Sequence, residues 1–250
     1  MGGMVIIKSS VFSKLLMKTA ETSVSCAAVI AAGGSSQRMD SVDKLFVEIC
    51  GIPVLAHTLL AFQNCQNISE IVVVSREEAL TRVCELCKKC GADKAIRVMI
   101  GGATRLDSVY NGVFAVSDEA QLIAIHDGAR PCVDADIINT AVMAAAKYHA
   151  AAPAVPVTST VKRVGGGIIL DTLDREDLVE IQTPQVFTAE LIKAALTKAR
   201  NESPAVTDDC MAVELLGFPV RITEGSRRNI KITTSEDIAI AEAIMRVREE

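Results

Sequence analysis

The sequence predicts an α/β fold in which helices cover both faces of a mostly parallel sheet. From residue 27 onward, short runs rich in Val and Ile alternate with longer segments of helical periodicity. Such alternation is typical of βα units joined in parallel, and continuous apolar strands are typical of a sheet buried on both faces. The chain has 250 residues, of which 50% are hydrophobic, so it can bury one substantial core.

The elements follow one another in a Rossmann-like order. Pro53 suits the start of the first helix, Gly91 ends the second, and Asp134 is the expected N-cap of the fourth. A last helix begins at about Ser235, where Thr234 or Ser235 can cap it. The predicted strands comprise residues 27–32, 71–75, 96–100, 122–126, 154–157 and 220–223, and the predicted helices comprise residues 54–64, 77–90, 108–117 and 134–149.

Residues 158–187 interrupt this alternation. β-prone runs on either side of glycines 165–167 predict a hairpin that projects from the sheet. Because a long two-stranded arm is marginally stable by itself, we expect residues 158–187 to form the arm of a homodimer. The domain organisation is then a single domain over residues 25–250, preceded by a disordered or tag-like extension over residues 1–24.

Composition argues against nucleic acid and membrane as partners. The net charge is −5, which disfavours duplex DNA and anionic lipid. Trp is absent, so aromatic platforms for bases are scarce. No apolar run reaches the roughly 18 residues of a membrane helix. Any anionic ligand must therefore be bound by a local cluster of cations.

The cysteines indicate a reducing compartment. Most of the eight lie among apolar neighbours and are typical of buried free thiols, so we expect a cytoplasmic protein. In CELCKKC, the spacing of Cys84, Cys87 and Cys90 could begin a metal or iron–sulfur site. A fourth ligand is missing nearby, and the helical pattern continues to Gly91, which favours a structural role.

Small and charged residues follow several predicted strands at the sheet edge where open parallel sheets bind ligands. The first strand leads into AAGGSSQR, the third into GGATRLDS, the fourth into HDGARP and the fifth to Thr160. The charged groups delivered to this edge are Arg38, Lys44, Arg105, Arg130 and one acid, Asp127.

These loops suit a phosphate chain. Glycines at a strand exit let backbone N–H groups face phosphate without a Cβ atom in the way, although an ordinary tight turn remains the alternative for the first loop alone. The loop has neither Walker A nor G-x-G-x-x-G spacing, which argues against a nicotinamide oxidoreductase. Arg38 and Lys44 suit a triphosphate, and Asp127 is the candidate ligand of Mg²⁺ or another divalent cation, or else it only caps the next turn.

Further motifs extend the pattern over residues 27–245, namely DKLF, GIPVL, VPVTSTVKR, QTPQVF, TDD and EGSRRNIKIT. In order and spacing they resemble the 2-C-methyl-D-erythritol 4-phosphate cytidylyltransferase family of non-mevalonate isoprenoid biosynthesis, and HDGARP with NIKIT is the most specific part. The resemblance implies transfer of CMP from CTP to methylerythritol 4-phosphate, with Mg²⁺, giving the CDP-alditol and pyrophosphate.

The resemblance also implies residue roles. Arg38 and Lys44 would stabilise the transition state, while Arg175 and Lys231 would position the acceptor phosphate. The nucleophile is a phosphate monoester with a second pKa of about 6, so no general base is needed, in agreement with only three histidines. The implied substrate-binding residues are Ala32, Gly33, Gly34, Gly102, Ala103, Arg105, Ser108, Asp127, Arg130, Thr160 and Thr207.

The sequence departs from the family at two points. Gly34, not Gly33, keeps the family's distance to Arg38, and Ala103 with Thr104 replaces the usual acidic pair. If side chains at that pair read the base, the nucleobase preference is in doubt; if backbone groups do, little changes. Two alternatives stay open: a cytidylyltransferase for another polyol phosphate such as ribitol 5-phosphate, and a non-catalytic nucleotide-binding dimer.

Overall fold

The structure is a computed structural model that describes residues 24–34, 43–202 and 205–249. Arg38 and residues 1–23 of the expected extension lie outside these ranges. The strands are β1 Cys26–Ala32, β2 Glu48–Ile49, β3 Ile52–Pro53, β4 Ile68–Ser75, β5 Ala95–Ile100, β6 Leu122–Asp127, β7 Ala150–Pro156, β8 Lys162–Gly165, β9 Ile168–Thr172, β10 Val179–Ile181, β11 Gln185–Thr188 and β12 Arg221–Glu224. The α-helices are α1 Val54–Gln63, α2 Leu80–Lys89, α3 Arg105–Ala115, α4 Ala135–Tyr148, α5 Ala189–Glu202, α6 Asp209–Glu214 and α7 Glu236–Glu249.

The main sheet confirms the predicted α/β class. Its strand order is β10-β7-β11-β6-β1-β4-β5, and β12 pairs with β7. β1 lies at the centre and is parallel to β4 and β6, so that Val29 is opposite Val72 and Ile125. β11 runs antiparallel between β6 and β7. The carboxyl ends of β1, β4, β5 and β6 therefore meet at one edge.

Helices pack on both faces because side chains alternate along each strand. On one face, Ile30 joins a core with residues of α1, α2, α4 and α7, including the fully buried Phe62. On the other face, Val29 joins a core with residues of α3, α5 and α6. Gly112 brings α3 close to the sheet, since a Cβ there would lie 2.5 Å from Val29 Cγ1.

Several helix boundaries follow from the caps that the sequence predicts. α1 begins directly after Pro53. Asp134 accepts from the Ile137 amide and caps α4, as predicted. Gly91, at φ +69°, follows the end of α2. α3 begins earlier than predicted, at Arg105, because the Thr104 side chain caps it by accepting from the Asp107 amide.

The expected arm is shorter than residues 158–187. Only β8 and β9 form the isolated hairpin. The return segment joins the main sheet instead, where β10 pairs with β7 and β11 fills the gap between β6 and β7. Val186 and Phe187 are fully buried there. Burial of this apolar stretch outweighs continuation of the hairpin, and β-propensity alone does not distinguish the two pairings.

β7 also begins earlier than predicted, at Ala150 rather than Ala154. Its run of alanines has weak strand propensity, but β11 and β12 pair along it and satisfy its backbone. Within the described residues, no helix is long and apolar enough to cross a membrane.

Candidate active site

The glycine turn follows β1 directly. Ala32 is buried at the end of the strand, and Gly33 lies beside the third-strand loop, since a Cβ on it would be 3.9 Å from Ser108 Oγ. Gly34 is exposed, with no atom within 4 Å of the place its Cβ would occupy. The turn and the GGATRLDS loop thus lie side by side, in agreement with the prediction that both leave the same edge of the sheet.

Lys44 opens the 3-10 turn Lys44–Phe46. Asp43 caps this turn by accepting from the Leu45 amide at 3.3 Å, and Arg76 forms an ion pair with Asp43. Lys44 Nζ donates to the Ile232 carbonyl at 2.9 Å, although the two residues are 188 positions apart. The structure therefore brings Lys44 against the NIKIT segment.

The GGATRLDS loop is held at the first turn of α3. The Gly102 amide donates to Ser108 Oγ at 3.0 Å, and Ser108 Oγ donates to the Thr104 carbonyl at 2.9 Å. A Cβ on Gly102 would lie 2.2 Å from Asp107 Cβ, so only glycine fits. Ala103 is exposed. The loop therefore presents backbone groups to solvent with little side-chain cover.

Arg105 is engaged within the protein. Its Nη1 and Nη2 donate to Oδ1 and Oδ2 of Asp209 at 3.0 and 2.7 Å, and Asp209 is only 1% exposed. Burial raises the pKa of the Asp209 carboxyl, whereas Arg105 opposes this shift. Because each oxygen faces one guanidinium nitrogen, we describe the pair as charged.

Asp209 is a residue that sequence reasoning missed. The TDD motif predicts Thr207 as a binding residue, but Thr207 is exposed and its hydroxyl donates to Met211 Sδ at 3.7 Å. Asp208 caps α6, and Gln185 accepts from the amides of Asp209 and Cys210. The repeated acid in TDD is the signal that could have identified Asp209.

Asp127 lies at the end of β6 among cations. Its Oδ2 accepts from Lys231 Nζ at 2.9 Å and from Arg130 Nε at 3.3 Å. Burial by itself would raise the pKa of Asp127, but Lys231, Arg105 and Arg130 hold it below the ordinary value. An ionised carboxylate therefore faces the ligand-binding edge of the sheet.

His126 is buried behind Asp127 and stays neutral. Burial lowers the pKa of His126 to about 3. Its Nε2 lies 3.4 Å from the Arg130 carbonyl, and its Nδ1 lies 3.0 Å from Thr183 Oγ1. The carbonyl can only accept, so Nε2 carries the hydrogen and Nδ1 accepts from the Thr183 hydroxyl. His126 thus supports the loop and does not face substrate.

The NIKIT segment closes the site. The Ile232 amide donates to the Ala129 carbonyl at 2.8 Å, and Arg130 Nη1 donates to the Asn229 carbonyl at 2.8 Å. A cavity of about 300 Å³ opens beside this contact. Its polar lining includes Arg130, Glu180, Gln182, Arg227, Asn229 and Lys231.

The arm residues lie apart from this cluster. Thr160 is exposed, and Arg175 Nη1 donates to the Thr158 carbonyl at 3.0 Å from an exposed position. In the part of the chain that the structure describes, Arg175 contacts neither Asp127 nor Lys231. Within the described residues, the chain therefore brings together Lys44, Asp127, Arg130 and Lys231, but not Arg175.

The geometry can hold a divalent cation with phosphate. Mg²⁺ takes one or two carboxylates and completes its shell with phosphate oxygens and water, and an ionised Asp127 beside phosphate-type loops fits that preference. Among residues 24–34, 43–202 and 205–249, no group of three or more acidic, Cys or His side chains could hold a metal alone. The cysteines of α2 lie elsewhere: Cys87 packs into the core, and burial raises its pKa to about 11.

Comparison with known proteins places the chain in one family. The sequence model described as IspD, 2-C-methyl-D-erythritol 4-phosphate cytidylyltransferase, matches residues 26–247. A protein of that name from Caldanaerobacter subterraneus is 45% identical over 223 residues, covering 88% of this chain and 98% of the relative. Another, from Halalkalibacterium halodurans, is 43% identical over 222 residues, covering 88% and 97%.

Solved structures agree with the fold. A 4-diphosphocytidyl-2C-methyl-D-erythritol synthase from Anaerococcus prevotii superposes with a TM-score of 0.81 at 31% identity, covering 90% of this chain and all of that one. A 2-C-methyl-D-erythritol 4-phosphate cytidylyltransferase from Thermus thermophilus gives a TM-score of 0.73 at 31% identity, covering 87% and 98%. The chain therefore belongs to the 2-C-methyl-D-erythritol 4-phosphate cytidylyltransferase family.

Proposed function

We propose that the protein transfers the cytidylyl group of CTP to 2-C-methyl-D-erythritol 4-phosphate, releasing pyrophosphate, in isoprenoid precursor biosynthesis. The observation that carries the proposal is the cluster at the end of β6. There Asp127 contacts Arg130 and Lys231, while Lys44 contacts the residue that follows Lys231. Two cations contact one carboxylate and a third lies against the segment of Lys231, an arrangement that suits a site for two phosphate-bearing substrates.

The reaction needs positioning more than proton transfer. An oxygen of the acceptor phosphate attacks the α-phosphorus of CTP, and the bond from that phosphorus to the pyrophosphate oxygen breaks. The second pKa of a phosphate monoester is about 6, so the attacking oxygen is already ionised at neutral pH. The barrier is the approach of two anions, which cations and orientation lower.

The charged residues and the glycine loops divide these tasks. Lys44 is proposed to neutralise the triphosphate with Arg38, and Lys231 to hold the acceptor phosphate at the cavity that it lines with Arg130. Backbone groups at Gly102 and Ala103 are proposed to read cytosine, since the loop there lacks an acidic pair and is exposed. Nucleobase preference then does not depend on the side chains of Ala103 and Thr104.

Mg²⁺, or another divalent cation, is proposed as the metal of the reaction, held by Asp127. When bound, it would withdraw charge from the phosphate oxygens that develop charge during transfer. Asp127 fits this role because its carboxylate is ionised at the ligand-binding edge. The neighbouring Lys231 and Arg130 form ion pairs with the same carboxylate and so offset its negative charge.

A homodimer through the β8–β9 arm is proposed as the working form. Val164, Ile168, Ile169 and Leu170 are each more than 60% exposed on this hairpin, and a second subunit would bury them. The exposed Arg175 could then reach the acceptor phosphate of the neighbouring site. A cytoplasmic location is proposed as well, in keeping with eight free cysteines.

Pyrophosphate release with a substrate panel tests the function. CTP with 2-C-methyl-D-erythritol 4-phosphate should give the CDP-alditol, identified by ³¹P NMR, and excess EDTA should abolish the reaction. Ribitol 5-phosphate is the control acceptor, and UTP and ATP are the control nucleotides. Turnover with ribitol 5-phosphate but not with 2-C-methyl-D-erythritol 4-phosphate would overturn the proposed acceptor. Full activity in EDTA would overturn the proposed role of the metal. No turnover with any pair of substrates would support a non-catalytic protein.

A further inference from the structure

One buried hydroxyl links the loop of Asp127 to its surroundings. Thr183, in the turn between β10 and β11, is 4% exposed and faces the fully buried His126. The Asp127 amide donates to Thr183 Oγ1 at 3.2 Å, and Thr183 Oγ1 lies 3.0 Å from His126 Nδ1. A single side chain therefore contacts both residues at the end of β6.

The direction of each hydrogen bond follows from the donors present. The Asp127 amide can only donate, so the Thr183 oxygen accepts there and its own hydrogen points to His126 Nδ1. His126 Nε2–H then donates to the Arg130 carbonyl at 3.4 Å. These three hydrogen bonds connect the Asp127 amide, through the side chains of Thr183 and His126, to the Arg130 carbonyl on the other side of the same loop.

The backbone of Thr183 joins a second part of the site. Asn229 Nδ2 donates to the Thr183 carbonyl at 2.9 Å, and the Asn229 carbonyl accepts from Arg130 Nη1 at 2.8 Å. Asn229 is fully buried and precedes Lys231 by two positions. Thr183 thus lies where the HDGARP loop and the NIKIT segment meet.

We propose that Thr183 is a positioning residue for cytidylyl transfer, whose hydroxyl fixes the backbone of Asp127 and so the direction of its carboxylate. Valine would fill the same volume without a polar group, so packing alone does not require a hydroxyl at this buried position. Without it, the Asp127 amide and His126 Nδ1 would both lose their buried partner. This inference rests on the proposed function, because it assigns Thr183 through Asp127.

Thr183→Val tests the hydroxyl directly. Loss of a hydrogen-bond partner of a metal ligand typically lowers activity by about 10- to 100-fold. The kcat of Thr183→Val should therefore fall by about that factor. Thr183→Ser keeps the hydroxyl and should restore most of kcat. The KM for CTP should change less than kcat. Thr188→Val is the matched control, since the buried Thr188 hydroxyl has no hydrogen-bond partner among the described residues and its loss should leave kcat unchanged.

A spectroscopic readout separates positioning from general damage. The protein has three histidines, so ring-¹⁵N-histidine labelling gives few resonances to assign. In Thr183→Val, the ¹⁵N chemical shift of the unprotonated Nδ1 of His126 should move towards the value of an imidazole nitrogen that accepts no hydrogen bond. In Thr183→Ser, it should return to the wild-type value. Thermal unfolding of every variant confirms that it is folded. If Thr183→Val does not fold, Thr183→Ala replaces it in the same comparison.

The outcomes distinguish the two levels of proposal. Wild-type turnover with unchanged kcat in folded Thr183→Val overturns the positioning role alone. Equal loss in Thr183→Val and Thr183→Ser also overturns it, because a hydroxyl would then not suffice. If the wild type turns over no substrate, the proposed function fails; calorimetric binding of CTP with Mg²⁺ then tests Thr183. At least tenfold weaker binding in Thr183→Val supports the role, and equal affinity overturns it.

Discussion

At the scale of single residues, the site depends on charges whose own contacts hold them in place. Lys44 lies in a short turn capped by Asp43, and Asp43 is in turn paired with Arg76. Lys231 is about 40% exposed at its side chain and rests on Asp127. Such cations, which are proposed to act on the substrate phosphates, add little to the apolar core.

Replacing Lys44 with Ala should therefore lower kcat far more than stability. Loss of one charge-stabilising contact typically costs about 10²–10³-fold in rate, so we expect that effect for Lys44→Ala and, by the family match, for Arg38→Ala. The midpoint of thermal unfolding should change by only about 2–4 °C for Lys44→Ala, because a single hydrogen bond to a backbone carbonyl contributes about 1 kcal/mol.

Steady-state kinetics and thermal unfolding, measured together, check this expectation. Lys89→Ala is the matched control, since Lys89 is exposed at the end of α2. A large fall in the unfolding midpoint with a near-normal rate would make Lys44 a structural residue.

At the scale of elements, the ion pair between Arg105 and Asp209 joins the start of α3 to the start of α6. It ties the GGATRLDS loop to the TDD segment. A bidentate pair with one fully buried partner is stabilising only while both members are present, because a lone buried charge is costly.

Asp209→Asn should lower the free energy of unfolding by about 3 kcal/mol. Arg105→Lys should also destabilise the fold, because an ammonium group cannot form the bidentate contact. The double variant Arg105→Met with Asp209→Asn should lose less than the sum of the single losses. Urea unfolding measures the single variants Arg105→Met, Arg105→Lys and Asp209→Asn and the double variant. Arg246→Ala, which removes an exposed pair with Glu242, is the control and should cost about 0.3–0.5 kcal/mol. Additive losses at Arg105 and Asp209 would contradict the coupling.

The start of α7 gives a pH-dependent contribution. Asp237 accepts from the amides of Thr233 and Thr234 at 2.7 and 2.8 Å, directly after the NIKIT segment. Partial burial would raise the pKa of Asp237, but these hydrogen bonds hold it below the ordinary value. A carboxylate with a lowered folded pKa stabilises the fold above its unfolded pKa, and this stabilisation is lost as the pH falls towards the folded pKa.

The wild type should therefore exceed Asp237→Asn in unfolding free energy by about 1 kcal/mol at pH 7. The difference should stay constant down to about pH 5 and narrow below about pH 4, near the unfolded pKa of Asp. Urea unfolding at pH 7, 5 and 3.5 measures it. A difference that is the same at all three values would show that the charge of Asp237 contributes nothing.

At the scale of the whole molecule, the β8–β9 hairpin leaves apolar side chains uncovered, and within the described residues the nearby Arg175 contacts neither Asp127 nor Lys231. Both features are accounted for if two subunits exchange arms. Arg175→Ala and Lys44→Ala subunits should each be nearly inactive alone. Co-refolded heterodimers contain one site with both residues intact, so activity should recover in part.

Subunits carrying different affinity tags allow the heterodimer to be purified and its kcat measured. Ile169→Asp with Leu170→Asp, in the middle of the hairpin, should give a monomer by light scattering. If purified heterodimers show no recovered activity, Arg175 serves its own subunit or only stabilises the arm. A dimer that persists in the Ile169→Asp, Leu170→Asp variant would place the interface elsewhere.

The sequence by itself determined the class of the fold, the central strands and the loops that follow them. Val and Ile runs such as residues 71–75 indicate strands buried on both faces, and Asp134 and Gly91 indicate helix ends. Both kinds of pattern can be recognised in the sequence because they depend on only a few neighbouring residues. The motifs HDGARP and NIKIT likewise identified the chain segments that form the site.

Only the tertiary structure decided which distant groups meet. β11 could pair with the hairpin or enter the main sheet, and burial of Phe187 between β6 and β7 favours the second arrangement. The contacts Arg105–Asp209, Lys44–Ile232 and Thr183–His126 join residues 104, 188 and 57 positions apart. Such partners depend on strand order and on which polar groups burial leaves without water, and neither is encoded in a local pattern.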